Sequence, residues 1–178
     1  SRRQRQMCIR DRVSPYSKME FAYKQPKHQD WFDVKVGNVR LNDVDIPGYF
    51  STKELRVGGL WINDVLLQNL KNRKIPVEPH IVPMIYEGLQ KAPVRFKIDT
   101  ASVANFSVVY EELPVKGDKP GKLYFTDMNG QFLGLTNIVS YPEQFIRLHA
   151  DGNLMGSGHF TATWQLPVDS LYDRFLLD

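Results

Sequence analysis

The sequence predicts a mainly β fold: an extended, curved antiparallel sheet, groove-like and repeat-built, with one short helix. Two observations carry that expectation. First, an eleven-residue phrase occurs twice, as Val36-Gly37-Asn38-Val39-Arg40-Leu41-Asn42-Asp43-Val44-Asp45-Ile46 and, 21 residues on, as Val57-Gly58-Gly59-Leu60-Trp61-Ile62-Asn63-Asp64-Val65-Leu66-Leu67, with five identities and three exchanges of one aliphatic residue for another. A period that short suits one supersecondary unit and predicts a strand-turn-strand module stacked beside its copy. Second, apolar and polar residues alternate with a period of two over most of the chain, as half-buried strands require, and one stretch alone changes to a helical period.

Residues 1–17 stand apart as a leader. The first dozen hold five arginines, one aspartate and the sole cysteine, and lack the apolar run of a signal peptide. Residues 5–13 resemble translated sequencing-adapter read-through and are set outside the fold. Without the first dozen residues, five positive charges and one negative are lost and the formal net charge falls from +3 to −1. The basic balance that would suit a nucleic-acid partner disappears with them. Residues 18–178 are expected to form one β-rich unit, truncated at both ends as an internal piece of a longer protein, and are long enough to bury a sizeable core.

Over residues 31–70, Phe32, Val34 and Val36 alternate against Asp33 and Lys35, then Val39 and Leu41 against Arg40 and Asn42. The Asn-Asp pairs at 42–43 and 63–64, with Pro47-Gly48 and Gly58-Gly59, read as turns or bulges between short antiparallel pieces. In residues 79–91, Ile81, Ile85 and Leu89 fall four apart with Val82 on the same face, which predicts a three-turn helix, the only one expected. Ala92-Pro93 ends it. Strands follow at 94–98, 103–112, 121–126 and 131–137, with Asn129-Gly130 as a tight hairpin between the last two. A strand over 144–150 is expected to turn at Asp151-Gly152-Asn153 into the longest alternation of the chain. That run places Leu154, Gly156, Gly158, Phe160, Ala162, Trp164 and Leu166 on one face and spans roughly 40 Å at about 3.3 Å per residue.

Little in the chain points to catalysis. The four histidines, at 28, 80, 149 and 159, stand in no metal-ligand spacing. Gly156-Ser157-Gly158 is not a nucleophile elbow. Glu111 and Glu112 are adjacent on a strand and so point to opposite faces, which prevents them from working as an acid and base pair. No Gly-rich phosphate loop occurs, and the body of the chain has no thiol. No run of about 18 apolar residues is present to cross a bilayer. The expectation is a non-enzymatic protein with no cofactor, no metal and no nucleic-acid partner.

Several short stretches together resemble, in order, a segment of the AsmA-like and TamB-like superfamily of bacterial envelope proteins: Pro93-Val94-Arg95-Phe96-Lys97-Ile98-Asp99, Val109-Tyr110-Glu111-Glu112, Gly121-Lys122-Leu123-Tyr124-Phe125, Gly134-Leu135-Thr136-Asn137, Leu154-Met155-Gly156-Ser157-Gly158-His159-Phe160 and Val168-Asp169-Ser170-Leu171-Tyr172. The resemblance covers residues 31–178. It implies a long antiparallel sheet curled into an apolar groove, a periplasmic location with an inner-membrane anchor outside this segment, and passage of phospholipid between membranes or support of outer-membrane assembly. Phospholipid acyl chains would be the partner, with envelope proteins possible besides. The candidate groove residues are Leu154, Phe160, Ala162, Trp164 and Leu166; the same five fit equally an ordinary core beneath the helix. The alternative function is a β-rich protein-interaction or scaffold module without lipid.

Overall fold

A computed structural model of the protein describes residues 16–76, 85–141, 143–169 and 176–177. The chain is mainly β, with 62% of it in strands. Helix α1 (Lys18–Lys24) precedes β1 (Trp31–Val44), and α2 (Ile46–Thr52) links β1 to β2 (Glu54–Asn72). Helix α3 (Ile85–Gln90) lies between β2 and β3 (Arg95–Leu113), followed by β4 (Gly121–Thr136), β5 (Phe145–Leu154), β6 (Gly158–Pro167) and the two-residue β7 (Leu176–Leu177). All belong to one open sheet in sequential order. Every neighbouring pair is antiparallel except β2 and β3, which run parallel over Glu54↔Arg95 to Asn72↔Leu113. A parallel pair needs a crossover, and residues 73–94 supply it. Asn137 pins that crossover to the sheet: its amide donates to the carbonyls of Leu89 and Val94, and its oxygen accepts from Phe96 N–H.

Short pieces were expected from the sequence, whereas the strands are long and run straight through the supposed turns. β4 passes through Asn129-Gly130 without a hairpin, and β5 passes through Asp151-Gly152-Asn153. The turn falls instead at Met155-Gly156-Ser157, which divides the expected single alternation over 154–166 between the end of β5 and β6. Asn42-Asp43 and Asn63-Asp64 also lie inside strands.

Those Asx positions do something other than turn the chain. Asp43, Asp64, Asn105 and Asp127 all take a left-handed backbone, with φ of 52–58°. At each one the inward-facing apolar side chains jump three residues instead of two. One row of such slips crosses the sheet from Val36→Val39 through Ile62→Val65 and Val103→Phe106 to Phe125→Met128. A second row runs from Leu41→Val44 through Val57→Leu60 and Ile98→Ala101 to Phe132→Leu135. The pairings bring these slips side by side, except between β3 and β4 in the first row, where the register shifts on either side of Phe106↔Met128. Gly37 lies opposite Asp64 and Gly58 opposite Asp43, with the β1–β2 register unbroken across both; the first row continues in β4 as a bulge between Thr126 and Asn129.

This is the physical meaning of the repeated phrase. Its two copies pair with each other antiparallel, so the glycine of each faces the left-handed aspartate of the other. A Cβ on Gly37 would lie 2.8 Å from the Asp64 Cβ, and one on Gly58 would lie 2.9 Å from the Asp43 Cβ. Each copy is therefore one strand segment with a kink, not the strand-turn-strand module expected from sequence.

The two helices not expected from sequence are short and held by caps. Ser17 and Glu20 form a capping box on α1, and Asp45 accepts from Gly48 N–H at the start of α2. α1 packs Ala22 against Leu70 and Leu113 on the outer sheet face, where Lys18 pairs with Glu111. The expected helix is present as α3; its residues 79–84 lie outside the described residues.

Gly37→Ala and Gly58→Ala are expected to lower stability by about 1–3 kcal/mol each, since neither neighbour is the tip of a flexible side chain. Gly88→Ala, in α3 with no atom within 4 Å of where the new methyl would stand, should instead hold or gain about 0.5–1 kcal/mol. Urea denaturation midpoints of the three variants check the contrast.

Candidate functional site

A cavity of about 780 Å³ lies against the inner face and touches all six long strands, from Val36 on β1 to Trp164 on β6. One cavity reaches so many strands only because the sheet bends toward that face. β2, β3 and β4 contribute apolar side chains on both sides of the first slip row: Ile62 and Val65 from β2, Val103, Phe106 and Val108 from β3, and Phe125, Met128 and Phe132 from β4. β5 adds Leu148 and Ala150, and β6 adds Phe160, Ala162 and Trp164.

The depth of the cavity comes from a row of small residues. Gly130, Ala150 and Ala162 are aligned across β4, β5 and β6. Larger side chains flank that row: Phe132, Leu148 and Trp164 lie on one side, and Phe125 and Phe160 on the other, meeting edge to face at 5.9 Å between ring centroids. Asn129 is the one polar residue of the lining. Its amide is engaged with the Asp127 carbonyl and the Asp151 carboxylate, and its oxygen accepts from Asn105 N–H.

The same face is closed toward the second slip row. Val57, Ile98 and Ala101 are buried there among Leu55, Leu60, Phe96, Phe132 and Leu135. Ile146, Leu166 and Val168 form an adjoining cluster that shares Phe132 and Leu135 and is covered by Leu89 of α3. Gln90 holds that helix in place by donating to the Val168 carbonyl at 2.9 Å.

The five residues expected from sequence are thus distributed along one face. Phe160, Ala162 and Trp164 line the cavity, and Trp164 also packs on the closed cluster. Leu166 is 5% exposed and belongs to the closed core. Leu154, opposite Phe125 and Gly158, shares the face but lies outside the lining. The lining contributed by β1 to β5 was not named from sequence; its signal was the three-residue slip in the apolar alternation.

Apart from Asn129, the polar groups near the cavity lie at the rim and on the outer face. Beyond Val108, the Tyr110 hydroxyl donates to Glu112 at 2.6 Å, and Arg73 holds the other Glu112 oxygen at 3.0 Å. Burial and then the Glu112 carboxylate push the Tyr110 hydroxyl up to about 12, while the hydrogen bond from Tyr110 and the Arg73 cation hold Glu112 below the usual carboxylate range. Glu111 points the other way, to Lys18. On the outer face His149 meets Thr163 and His159 meets Asn153; His28 lies 3.5 Å from Asp30, and His80 is outside the described residues. Among the described residues no three metal-ligating side chains converge, and no helix is long and apolar enough to cross a membrane.

No protein-family model matches the chain, and a search of curated proteins finds no significant relative.

The rim makes a pH prediction. Tyr110 binds its proton more tightly folded than unfolded, so its contribution to stability is complete below pH 10 and is lost as pH rises toward 12. Ultraviolet tyrosinate titration should show one phenol ionising near pH 12 that is missing from Tyr110→Phe.

Proposed function

We propose that this chain is a non-enzymatic segment of a cell-envelope protein whose β-groove holds phospholipid acyl chains, for lipid transfer between membranes or for outer-membrane assembly. The observation that carries the reading is the cavity of about 780 Å³, lined from six strands by apolar side chains with no charged group among them. Its volume falls in the range of about 300–1,000 Å³ typical of ligand sites. Hydrocarbon is the ligand such a lining recognises. Each buried methylene contributes about 0.8 kcal/mol, so ten of them supply about 8 kcal/mol, a micromolar affinity before the cost of ordering the chain is subtracted.

The resemblance of residues 31–178 to AsmA-like and TamB-like proteins supports the same reading and supplies the periplasmic setting and a membrane anchor outside this segment. The parallel pairing of β2 with β3 departs from the all-antiparallel sheet that the resemblance implies. A second reading, a β-rich interaction or scaffold module without lipid, is favoured by one observation, the edge of β1, which no strand among the described residues covers.

Two substitutions separate groove from core. Phe160→Asp places a charge in the cavity wall and should cut copurifying phospholipid at least tenfold while the far-ultraviolet strand signal is retained. Leu166→Asp places the charge in the closed cluster and should cost several kcal/mol and unfold the chain. Lipid mass spectrometry and circular dichroism on the wild type and both variants check this; a wild type free of lipid, or a Phe160→Asp chain that keeps its lipid, sinks the lipid reading.

A further inference from the structure

The end of the sheet at β1 is built unlike a finished edge. β1 is 14 residues long, is paired among the described residues only to β2, and exposes there the row of its inward apolar side chains: Phe32, Val34, Val36, Val39 and Leu41 are 48–60% exposed. Natural edges are usually shortened, charged on their inner face or covered. α2 does not cover this one, because it packs back onto β2.

We propose that the free edge of β1 pairs antiparallel with β1 of a second copy of this chain, about a two-fold axis through Arg40. The partner is identified by the pairing rule already at work between β1 and β2. There, Val36 faces Val65, Asn38 faces Asn63 and Val39 faces Ile62, and Gly37 accommodates the left-handed Asp64. These β2 residues belong to the second copy of the repeated phrase, so β1 itself carries their equivalents: Val44, Asp43, Asn42 and Leu41.

Centred on Arg40, two β1 strands satisfy every one of those oppositions at once. Val36 meets Val44 of the second copy, Gly37 meets its left-handed Asp43, Asn38 meets its Asn42 and Val39 meets its Leu41. Inward side chains face inward side chains throughout. The one unfavourable opposition is Arg40 with itself, and its guanidinium lies 5.4 Å from the Trp61 ring centroid, drawn toward β2 and away from the edge.

The pairing would join the two inner faces into one continuous trough. It does not rest on what the groove holds, because the register follows from Gly, Asx and aliphatic positions alone. Flexible hydrophobic stickiness would give no such register, which makes the proposal specific enough to fail.

Cross-linking reads the register directly. In a Cys8→Ser background, Arg40→Cys puts two thiols on the axis, within the Cα separation of about 4.4–6.8 Å that a disulfide spans. Air oxidation of the full chain should give a disulfide-linked dimer, while Asn42→Cys alone should give little and a mixture of Asn38→Cys with Asn42→Cys should give the hetero-dimer. All three positions are exposed, so the variants test pairing and not folding. Light scattering of the unsubstituted chain should give the mass of two chains. A monomer by light scattering, or Arg40→Cys that stays unlinked or links no better than Asn42→Cys, overturns the proposal.

Discussion

The structure depends on keeping two rows of backbone irregularity aligned across strands that are otherwise regular. A flat sheet with one apolar face has no interior; it becomes useful only when bent. Here β1 to β4 slip phase by one residue where they cross a row; the slips stand side by side along the whole second row and from β1 to β3 in the first, whose step to β4 is taken up by register shifts on either side of Phe106, so the local bends add instead of cancelling. Misalign one strand and its inward side chains turn outward from that point on, because the pleat has a period of two. Alignment therefore selects both curvature and register.

The residue types at the rows follow from that requirement. A left-handed backbone costs roughly 1–2 kcal/mol at an ordinary residue and is least costly at Gly, Asn and Asp. Every left-handed position within β1 to β4 is one of these: Asp43, Asp64, Asn105, Asp127 and Gly134. Their side chains and neighbours then hydrogen-bond along the convex face. Asn63 donates to Asn38 at 3.1 Å, Asn105 to Asp64 at 2.6 Å and Asn153 to Asp127 at 3.1 Å. One row thus supplies bending, cross-strand cohesion and a polar outer surface, while the apolar face it bends toward carries none of those polar groups.

Fold class was legible because alternation needs only the identity of each residue. Strand continuity was not, because Asn-Asp is chemically the same signal whether it closes a hairpin or kinks a strand, both uses exploiting a positive φ, and because Asn129-Gly130 runs on through β4 without one. The distinguishing mark was present in the sequence all the same. Val34, Val36, Val39 and Leu41 keep their apolar character across Gly37-Asn38 with a jump of three, and Ile62, Val65 and Leu67 do the same across Asn63-Asp64. A true turn has no reason to preserve a face. The parallel pairing of β2 with β3 and the short helices α1 and α2 were beyond local pattern, since the first is a matter of long-range topology and the others depend on single caps and tertiary contacts. Of the expected groove residues, Phe160 and Leu166 share one strand face; Leu166 becomes core because Ile146, Val168, Leu135 and Leu89 of α3 close over it, and Phe160 a cavity wall because it flanks the small-residue row.

That division explains how a cavity can stay open in a chain of this size. Empty apolar space is unfavourable, and a sheet lined throughout by large side chains would close on itself. Closure does occur at the second row, where Phe132 and Leu135 bring the two buried clusters together and Leu89 covers one of them. Toward the first row the aligned Gly130, Ala150 and Ala162 remove the side chains that would meet in the middle, and the aromatic rings on either side keep the walls apart. The closed end supplies cohesion and the small-residue row withholds it, so the cavity is set by where side-chain volume was omitted. On the lipid reading proposed above, a site made in this way would select its occupant by hydrocarbon volume and not by hydrogen bonds, which suits chains of varied length and saturation better than any single small molecule.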